Sequence, residues 1–520
     1  MKRNILLNLA TVTLLMSSCS LDLDPIDRYS DVTEGIETNV AFSSESDVIT
    51  HLQTMLTSLR ESEHMWQDVL LLAEIHSDNA YSGNEGGAPP AFEKNDVADM
   101  MSKPPLQRDW NRRMNNIAKA NKLISNIDQV PSSVISDKKK LSYKAQALIY
   151  RAMLYYDMVL LWGRVPLILS EAGDITADNI EESYYAYFPK QNSEEEVYAQ
   201  IEKDLLEAVD NAPDDLSNKM QMSKGLAYAL LAKIYADNTS LRNYDKVIEY
   251  ADKLADMGYG LVDDFSLLFG VKLQDDSKPV GTDNVAVDVK ARNTKESIFE
   301  IQFSGNDDRG SFNNQIFGVK WDTYTPVTFS NWVLPTHNLI DLFEQEPEDK
   351  RYPETIHYYG GTMIGFTPPR DWGYSLDHYP HMFKCRSVYN SNIKYRYADI
   401  LLLKAEACIL KDNPNLSTAA SIINEIRKRA GLSALSTEVT SNKDKLFNAY
   451  LNERRKELAF EGHRWNDLTR LEIMEDVMNA YKSSDKYARL TDQYTRAHYK
   501  FPIQKSVLSS NSMLTQNEGY

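Results

Sequence analysis

Two stretches of this 520-residue chain repeat one another, and no other feature constrains the fold as strongly. Residues 223–259 align with residues 396–432 without a gap, at a constant offset of 173 positions. Each stretch has the pattern of a helix, a short turn, a second helix and a glycine, close to the tetratricopeptide repeat of roughly 34 residues. The matched pairs are Leu230 with Leu403, Ala232 with Ala405, Tyr250 with Ile423, and Gly258 with Gly431.

The ungapped match favours a true repeat over two unrelated helix hairpins. Small alanines allow helices to cross closely, and a glycine ends the second helix of each pair. Helical patterns also cover residues 107–162, 193–238 and 443–470. We therefore predict a mainly α fold, a tetratricopeptide-like superhelical scaffold of helix pairs over about 107–258 and 395–470.

Residues 260–394 interrupt the helical pattern with frequent Gly, Pro, Asn and Asp, and with short β-like runs at 297–303 and 315–321. We predict a long, irregular, loop-rich insertion that contains short β-strands. An insertion of this length is where function is expected, because binding residues concentrate on loops held by a rigid scaffold. Earlier in the chain, a helix predicted over 45–75 breaks into a loop at His76.

The N-terminal segment has the layout of a bacterial lipoprotein signal. A basic start is followed by an apolar run over residues 5–16, too short to span a bilayer, and by small residues before Cys19. We predict a signal peptide over 1–18, a lipidated tether over 19–44 and one folded domain over 45–520. An ordinary secretory signal with an incidental cysteine is the alternative.

Composition excludes several classes of function. The net charge of −18 argues against nucleic acid and against electrostatic docking on an anionic membrane. The chain has no CxxC or HExxH motif, and its nine histidines lack ligand spacing, so we expect no zinc and no cofactor. A structural calcium ion is conceivable at three Asp pairs, but none has the alternating ligand spacing of a calcium loop. These pairs are Asp214-Asp215, Asp275-Asp276 and Asp307-Asp308.

The stretch Leu451–Leu471, LNERRKELAFEGHRWNDLTRL, places charge beside the apolar face of a helix. One interpretation is a catalytic carboxylate set with His463 as base. The other is a structural ion network, since buried charges must be paired and the two signs alternate here. Pairing within the helix, or across Gly462, is geometrically easy. The predicted network comprises Arg454, Glu457, Glu461 and Arg464.

This stretch resembles the C-terminal signature of the SusD/RagB family, which are surface lipoproteins of Bacteroidetes that capture nutrients, usually glycans, for a TonB-dependent transporter. Other segments resemble the family in the same order along the chain. They are Ala120-Asn121 at a helix end, Trp162–Leu167, the Pro-Thr-x-x-Leu-x-Asp-x-Phe pattern at 335–343, Phe501-Pro502-Ile503, and the ending over 511–520.

The resemblance implies a non-catalytic, glycan-binding lipoprotein of the outer membrane. It would be anchored through lipid on Cys19, would face the cell exterior, and would deliver oligo- or polysaccharide to a SusC-like TonB-dependent transporter. We expect the helix-pair face to dock on this partner. Membrane contact would come from the lipid alone.

The resemblance also implies a ligand face made by the loop after the first helix and by the insertion. Aromatic rings pack on the C–H faces of sugars, and amide groups hydrogen-bond to hydroxyls. Because the family varies most in this region, the transfer is by position. The residues it indicates are Asn79, Tyr81, Asn84, Trp321, Tyr324, Trp372 and Tyr374.

Other functions remain open on the sequence. Helix-pair repeats also serve as protein-interaction scaffolds, and a member of this family could bind peptide in place of glycan. A glycoside hydrolase would need two carboxylates at roughly 5–10 Å across a cleft, and no motif indicates such a pair.

Overall fold

In the computed structural model, the chain consists of two units, Met1–Val40 and Ala41–Tyr520. The second is compact, and only this unit is described below. The predicted signal peptide and Cys19, the predicted lipidation site, lie outside the described residues. Those residues are 41–61, 70–171, 184, 187–278, 280, 283–303, 319–320, 325–326, 332–360, 370–384 and 386–520.

Helices dominate the described residues, as the sequence predicts. A π-helix at Leu70–Ile75 leads into the first loop, and 3-10 turns cover Ile127–Gln129 and Arg496–Tyr499. The α-helices are α1 Glu45–Glu61, α2 Pro89–Lys94, α3 Val97–Met100, α4 Pro104–Asn126, α5 Asp137–Trp162, α6 Glu194–Ala208, α7 Lys224–Ala236, α8 Tyr244–Asp256, α9 Ser266–Phe269, α10 His337–Glu344, α11 Tyr352–Thr355, α12 Tyr397–Leu410, α13 Leu416–Arg429, α14 Thr437–Thr440, α15 Lys443–Leu458, α16 Arg464–Arg470, α17 Met474–Ser484 and α18 Lys505–Ser510.

The two halves of the sequence repeat fold alike. Under the offset of the alignment, the first residue of α7 falls on the first residue of α12. Both pairs end in the same cap: the Tyr259 N–H donates to the Leu254 carbonyl, and the Leu432 N–H donates to the Arg427 carbonyl. The glycine before each donor has a positive φ, +97° at the first cap and +81° at the second. Only glycine adopts this conformation without strain, which explains the matched glycines.

The helices stack in chain order, and this places the core between the pairs. Contacts run from α4 through α5, α6, α7 and α8 to α12, α13 and α15. The first helix of each repeat, α7 or α12, is apolar on nearly every side and is buried all round. The second, α8 or α13, buries one face and exposes the other. The predicted helix-pair fold is thereby confirmed.

The insertion contains short strands in two-stranded antiparallel sheets. β4 pairs with β10 at the base of the insertion, and β1 from the first loop pairs with β7 within it. The remaining described pairs are β2 with β3, β5 with β6 and β8 with β9. The strands are β1 Ala80–Ser82, β2 Val271–Leu273, β3 Ala286–Val289, β4 Ser297–Ile301, β5 Val319–Lys320, β6 Thr325–Pro326, β7 Val333–Pro335, β8 Ile356–Gly360, β9 His378–Met382 and β10 Asn392–Arg396.

A substitution at the first cap tests this account of the repeat. Gly258→Ala keeps ordinary van der Waals spacing to Leu216 but forces a side chain into positive φ. We expect it to lower the free energy of unfolding by about 1 kcal/mol, as measured by chemical denaturation. Gly260→Ala is the matched control, since open space surrounds its added carbon and its φ is not positive. Equal effects of the two substitutions would contradict the assignment.

Candidate functional site

The loop that follows the π-helix lies against the insertion. β1 and β7 pair with Tyr81 opposite Leu334. Thr336 extends this contact, because its hydroxyl donates to the Asp78 carbonyl at 2.7 Å and its N–H donates to the Asn79 carbonyl at 3.1 Å. The two segments to which the family resemblance assigns the ligand are therefore side by side.

Arg455 of α15 binds both the first loop and the insertion where they meet. Its guanidinium donates to the side-chain oxygens of Asn79 and Asn338 and to the Asp78 carbonyl, each at 2.7 Å. The amide nitrogen of Asn79 donates in turn to Glu74 at 2.8 Å. Asn79, one of the predicted ligand residues, is buried and committed to these contacts. It positions the first loop.

Tyr81 and Trp372 form the buried floor of the site. Their rings stack with centroids 5.0 Å apart and an interplanar angle of 18°, and both side chains are at most 1% exposed. The Tyr81 hydroxyl donates to Asp485. The guanidinium groups of Arg370 and Arg489 lie 4.8 and 5.0 Å from the Trp372 ring. Cation–π contacts of this kind stabilise a ring in a fixed orientation.

A half-buried aromatic stack lies above this floor. The His337 ring stacks between Tyr374 and Tyr487, with centroid distances of 4.2 and 5.0 Å. The Tyr374 hydroxyl donates to the Pro335 carbonyl at 2.9 Å. The Nε2 atom of His337 is 2.8 Å from the Trp372 carbonyl oxygen. Both polar ends are thus fixed by backbone. Tyrosine rings cover both faces of His337, so the accessible ring surface of this stack belongs to the half-buried Tyr374 and Tyr487.

The β8–β9 hairpin adds a second stack. The rings of Tyr358 and His378 are nearly parallel, with centroids 3.9 Å apart, and His378 is exposed. Tyr379 of this hairpin makes an edge contact with Tyr374 at 5.9 Å, so the two stacks adjoin. We call the combined set the aromatic surface: His337, Tyr358, Tyr374, His378 and Tyr487.

The other predicted ligand residues, Asn84, Trp321 and Tyr324, are not part of the aromatic surface as described. Asn84 is half-buried in a turn, where its side-chain oxygen accepts the Gly86 N–H at 2.8 Å. Trp321 and Tyr324 lie outside the described residues. Of the seven predicted residues, Tyr374 therefore contributes to the aromatic surface, whereas the ligand contacts of the whole set stay predictions.

The sequence did not indicate most of the aromatic surface. His337 lies within the 335–343 segment that resembles the family, but there it served only for recognition. Tyr358 and His378 become neighbours through a hairpin whose two strands the sequence pattern did not predict. Tyr487 follows α17 and lies more than a hundred residues after His378 in the chain. No pattern in the sequence indicated that it belongs to this surface.

The four predicted network residues of the C-terminal stretch are buried or nearly so and paired, mostly with partners outside the stretch, although Arg454 also pairs with Asp467 across Gly462. Glu457 lies among three guanidinium groups, those of Arg351 at 3.0 Å, Arg396 at 2.5 Å and Arg429 at 2.5 Å. This corrects the expectation of pairing within the helix, because cations from other elements surround the carboxylate. The other pairs are Arg454 with Asp399 and Asp467, Glu461 with Lys384 and Arg396, and Arg464 with Asp78.

These pairs set the protonation states. Burial alone would raise the pKa of Glu457, but the guanidinium groups of Arg429, Arg396 and Arg351 hold that pKa well below its usual value. Burial lowers the pKa of His463 to about 4, so its imidazole is neutral near pH 7. Its Nδ1 atom is 3.9 Å from Asp399, which is already paired with Arg454. The arrangement fixes how the α15–α16 hairpin packs.

Two properties of the described residues bear on metals and membranes. Within the ranges given above, no three His, Cys, Asp or Glu side chains converge as a metal site would require. Asp215 and Asp275 instead accept backbone N–H groups two residues on, at 2.8 and 3.1 Å, as turn residues do. Asp307-Asp308 lie outside those ranges. Across the same ranges, no helix combines the length and apolar character that crossing a bilayer demands.

Two family models match the chain. One, described as the SusD family, matches residues 370–520. The other, described as starch-binding and associating with the outer membrane, matches residues 28–236. The signature stretch and the ending lie within the first match, and the helices α4 to α6 lie within the second.

Individual SusD-like proteins are also similar to this chain over most of its length. A SusD-like protein P2 from Formosa agariphila is 24% identical over 509 residues, covering 92% of this chain and 93% of the relative. The starch-binding protein SusD from Bacteroides thetaiotaomicron is 24% identical and covers 74% of each chain. A solved structure of a laminarin-binding SusD-like protein is 22% identical, with a TM-score of 0.64, covering 92% of this chain and all of the other.

Removing the central carboxylate tests the role of the ion network. Glu457→Gln leaves three buried guanidinium groups without their shared anion, so we expect the free energy of unfolding to fall by roughly 3–5 kcal/mol. Chemical denaturation measures this loss, and ligand affinity of the folded fraction should be unchanged. Glu438→Gln is the control, since its ion pair with Lys445 is exposed and is worth less than about 1 kcal/mol. Weaker ligand binding at unchanged stability would contradict a structural role.

Proposed function

The chain belongs to the SusD/RagB family, and we propose that it captures glycans at the cell surface for a TonB-dependent outer-membrane transporter. In this proposal the protein binds oligo- or polysaccharide without cleaving it. Lipid on Cys19 would hold it at the outer membrane, facing the exterior. The resemblance of the N-terminal segment to a lipoprotein signal supports this location, as does the family description that names the outer membrane.

The aromatic surface is the observation that carries the proposal. A sugar ring presents C–H groups on its faces, and these pack against aromatic rings while hydroxyl groups bond to neighbouring polar atoms. Tyr374 and His378 offer such rings at the surface. Because Tyr374 and His337 are already fixed by hydrogen bonds to backbone, binding would cost little side-chain entropy.

The names of similar proteins support the same class of ligand. One relative is called starch-binding, and one structural neighbour is called laminarin-binding. These names describe other proteins of low identity. They support testing polysaccharides first and do not select one.

The stacked helix pairs would offer the transporter a docking face. α8 and α13 each expose one polar side. Neither helix contributes a residue to the aromatic surface, so contact there would leave that surface free. A binding protein beside a transporter raises the local concentration of ligand, so modest affinity would be sufficient for delivery.

Loss of ring surface should weaken glycan binding. We expect Tyr374→Ala and His378→Ala each to raise the Kd for a bound polysaccharide at least roughly fivefold, the effect of removing a contact worth about 1 kcal/mol. Affinity electrophoresis against a polysaccharide panel, followed by calorimetry, measures this. Tyr187→Ala is the control, because Tyr187 is also an exposed tyrosine but lies before α6. Absence of binding to every polysaccharide in the panel, or reducing-sugar release by the protein, would contradict the proposal.

Docking on the helix pairs is tested in the native cell. We expect the tagged full-length protein to co-purify with a TonB-dependent transporter, identified by mass spectrometry. Ala255→Arg on α8 and Ser421→Arg on α13 place charge and bulk on exposed positions of the two repeats, and should reduce co-purification severalfold. Ser375→Arg in the insertion is the control. Equal recovery of the transporter with all three variants would rule out docking on this face.

A further inference from the structure

The C-terminal signature stretch lines two adjoining spaces that the ion network does not explain. One is an inner cavity of about 110 Å³ between α5, β10 and α16. The other is an outer groove of about 780 Å³ beside α16, the α7–α8 turn and the C-terminal tail. Leu160 and Asn466 line both, so the cavity and the groove adjoin at these two half-buried side chains.

The inner cavity has mainly apolar walls. Leu59, Met153, Leu161 and Ile301 contribute to them, together with aromatic rings. Charged side chains also border the cavity, but they are engaged in ion pairs, as Lys394 is with Asp157 at 2.7 Å. An apolar cavity of about 150 Å³ binds benzene. This space, at about 110 Å³, is of the same order, so a single aromatic ring is the largest group that would fit.

Trp465 and Asn392, which line the cavity, each have a side-chain atom without a hydrogen-bond partner among the described residues. These atoms are the indole nitrogen of Trp465, a donor, and the side-chain oxygen of Asn392, an acceptor. Both side chains are at least 97% buried. Because an unsatisfied buried polar atom costs free energy, a bound molecule that supplies one acceptor and one donor would stabilise the folded protein.

The outer groove is polar and balanced in charge. Its lining includes the buried carboxylate of Asp237, which accepts the Tyr198 hydroxyl at 3.1 Å, along with amide and hydroxyl side chains. Four cationic and four anionic residues line the groove. The cationic residues are Arg164, Arg470, Arg496 and Lys500, and the anionic residues are Glu194, Glu195, Asp237 and Glu518. This balance favours a neutral polyhydroxylated group over an ion, because hydroxyls both donate and accept hydrogen bonds.

We propose that the cavity and the groove together form a binding site for a small neutral amphiphile, an aryl glycoside or a molecule of that chemistry. The aromatic ring enters past Leu160 and Asn466 and occupies the inner cavity. The sugar-like head stays in the groove, near Asp237. The site is separate from the aromatic surface and does not rest on polysaccharide capture there.

Calorimetry with the full chain tests the site, using phenyl β-D-glucoside, phenol and glucose as three separate ligands. Joining the two parts in one molecule makes the second contact intramolecular, so the glucoside should bind at least roughly tenfold more tightly than either part. Tight binding of phenol alone, with no gain from the sugar, would reduce the site to an apolar cavity and overturn the proposal. Absence of glucoside binding would do the same, since water alone would then fill the space.

Variants locate the binding. Leu160→Phe adds bulk at the shared wall and should weaken glucoside binding at least roughly tenfold, whereas Leu141→Phe, at an exposed position of the same helix, should not. Asn466→Ala removes the other wall side chain with little demand on folding and should reduce the advantage of glucoside over phenol. Unchanged glucoside affinity in both wall variants, or an equal loss with Leu141→Phe, would place the ligand elsewhere. Polysaccharide binding should be unaffected throughout, which separates this outcome from that of the proposed function.

Discussion

Charge buried between the C-terminal hairpin and the rest of the chain is the constraint on which this structure depends. Arg396, at the junction of β10 and α12, is 1% exposed and contacts Glu296, Glu457 and Glu461 at 2.5–2.7 Å. An unpaired charge in that position would cost several kcal/mol. The insertion, the second repeat and the hairpin must therefore all be in place for any one of them to be stable.

A second pair of contacts couples the two repeats. Asp399 of α12 accepts from Lys233 of α7 at 2.8 Å and from Arg454 of α15 at 2.7 Å. Lys233 and Asp399 lie on helices that are otherwise buried among mainly apolar side chains, so the partner of each charge decides how the helices align. Specific alignment is a use of buried charge that hydrophobic burial alone does not supply. The candidate site benefits, because Arg455 on the same hairpin holds the first loop.

The helices and their caps could be predicted from the sequence, whereas the contacts between residues distant in the chain could not. Spacing of apolar residues predicted the helices, and the glycines at 258 and 431 predicted the matched caps, since both depend on a few consecutive residues. The partners of Glu457 are 106, 61 and 28 residues away, and no spacing rule finds them. Aromatic residues were expected to bind ligand in the insertion, and this stays a prediction, because sequence does not tell which rings are exposed. In the structure, Tyr81 and Trp372 are buried in the floor of the site, whereas His378 is exposed on the aromatic surface.

The pairing of β4 with β10 makes the insertion exchangeable. Ile301 lies opposite Asn392, so a long excursion of the chain leaves and re-enters the scaffold through adjacent strands. The ends of that excursion are held at a fixed short separation whatever lies between them. The entropy of closing a loop changes by only about 0.6 kcal/mol for each doubling of its length. Provided that a strand remains to pair with β1, and that cations equivalent to Arg351 and Lys384 still reach Glu457 and Glu461, evolution or a protein engineer can graft a different recognition segment here and keep the helix stack unchanged.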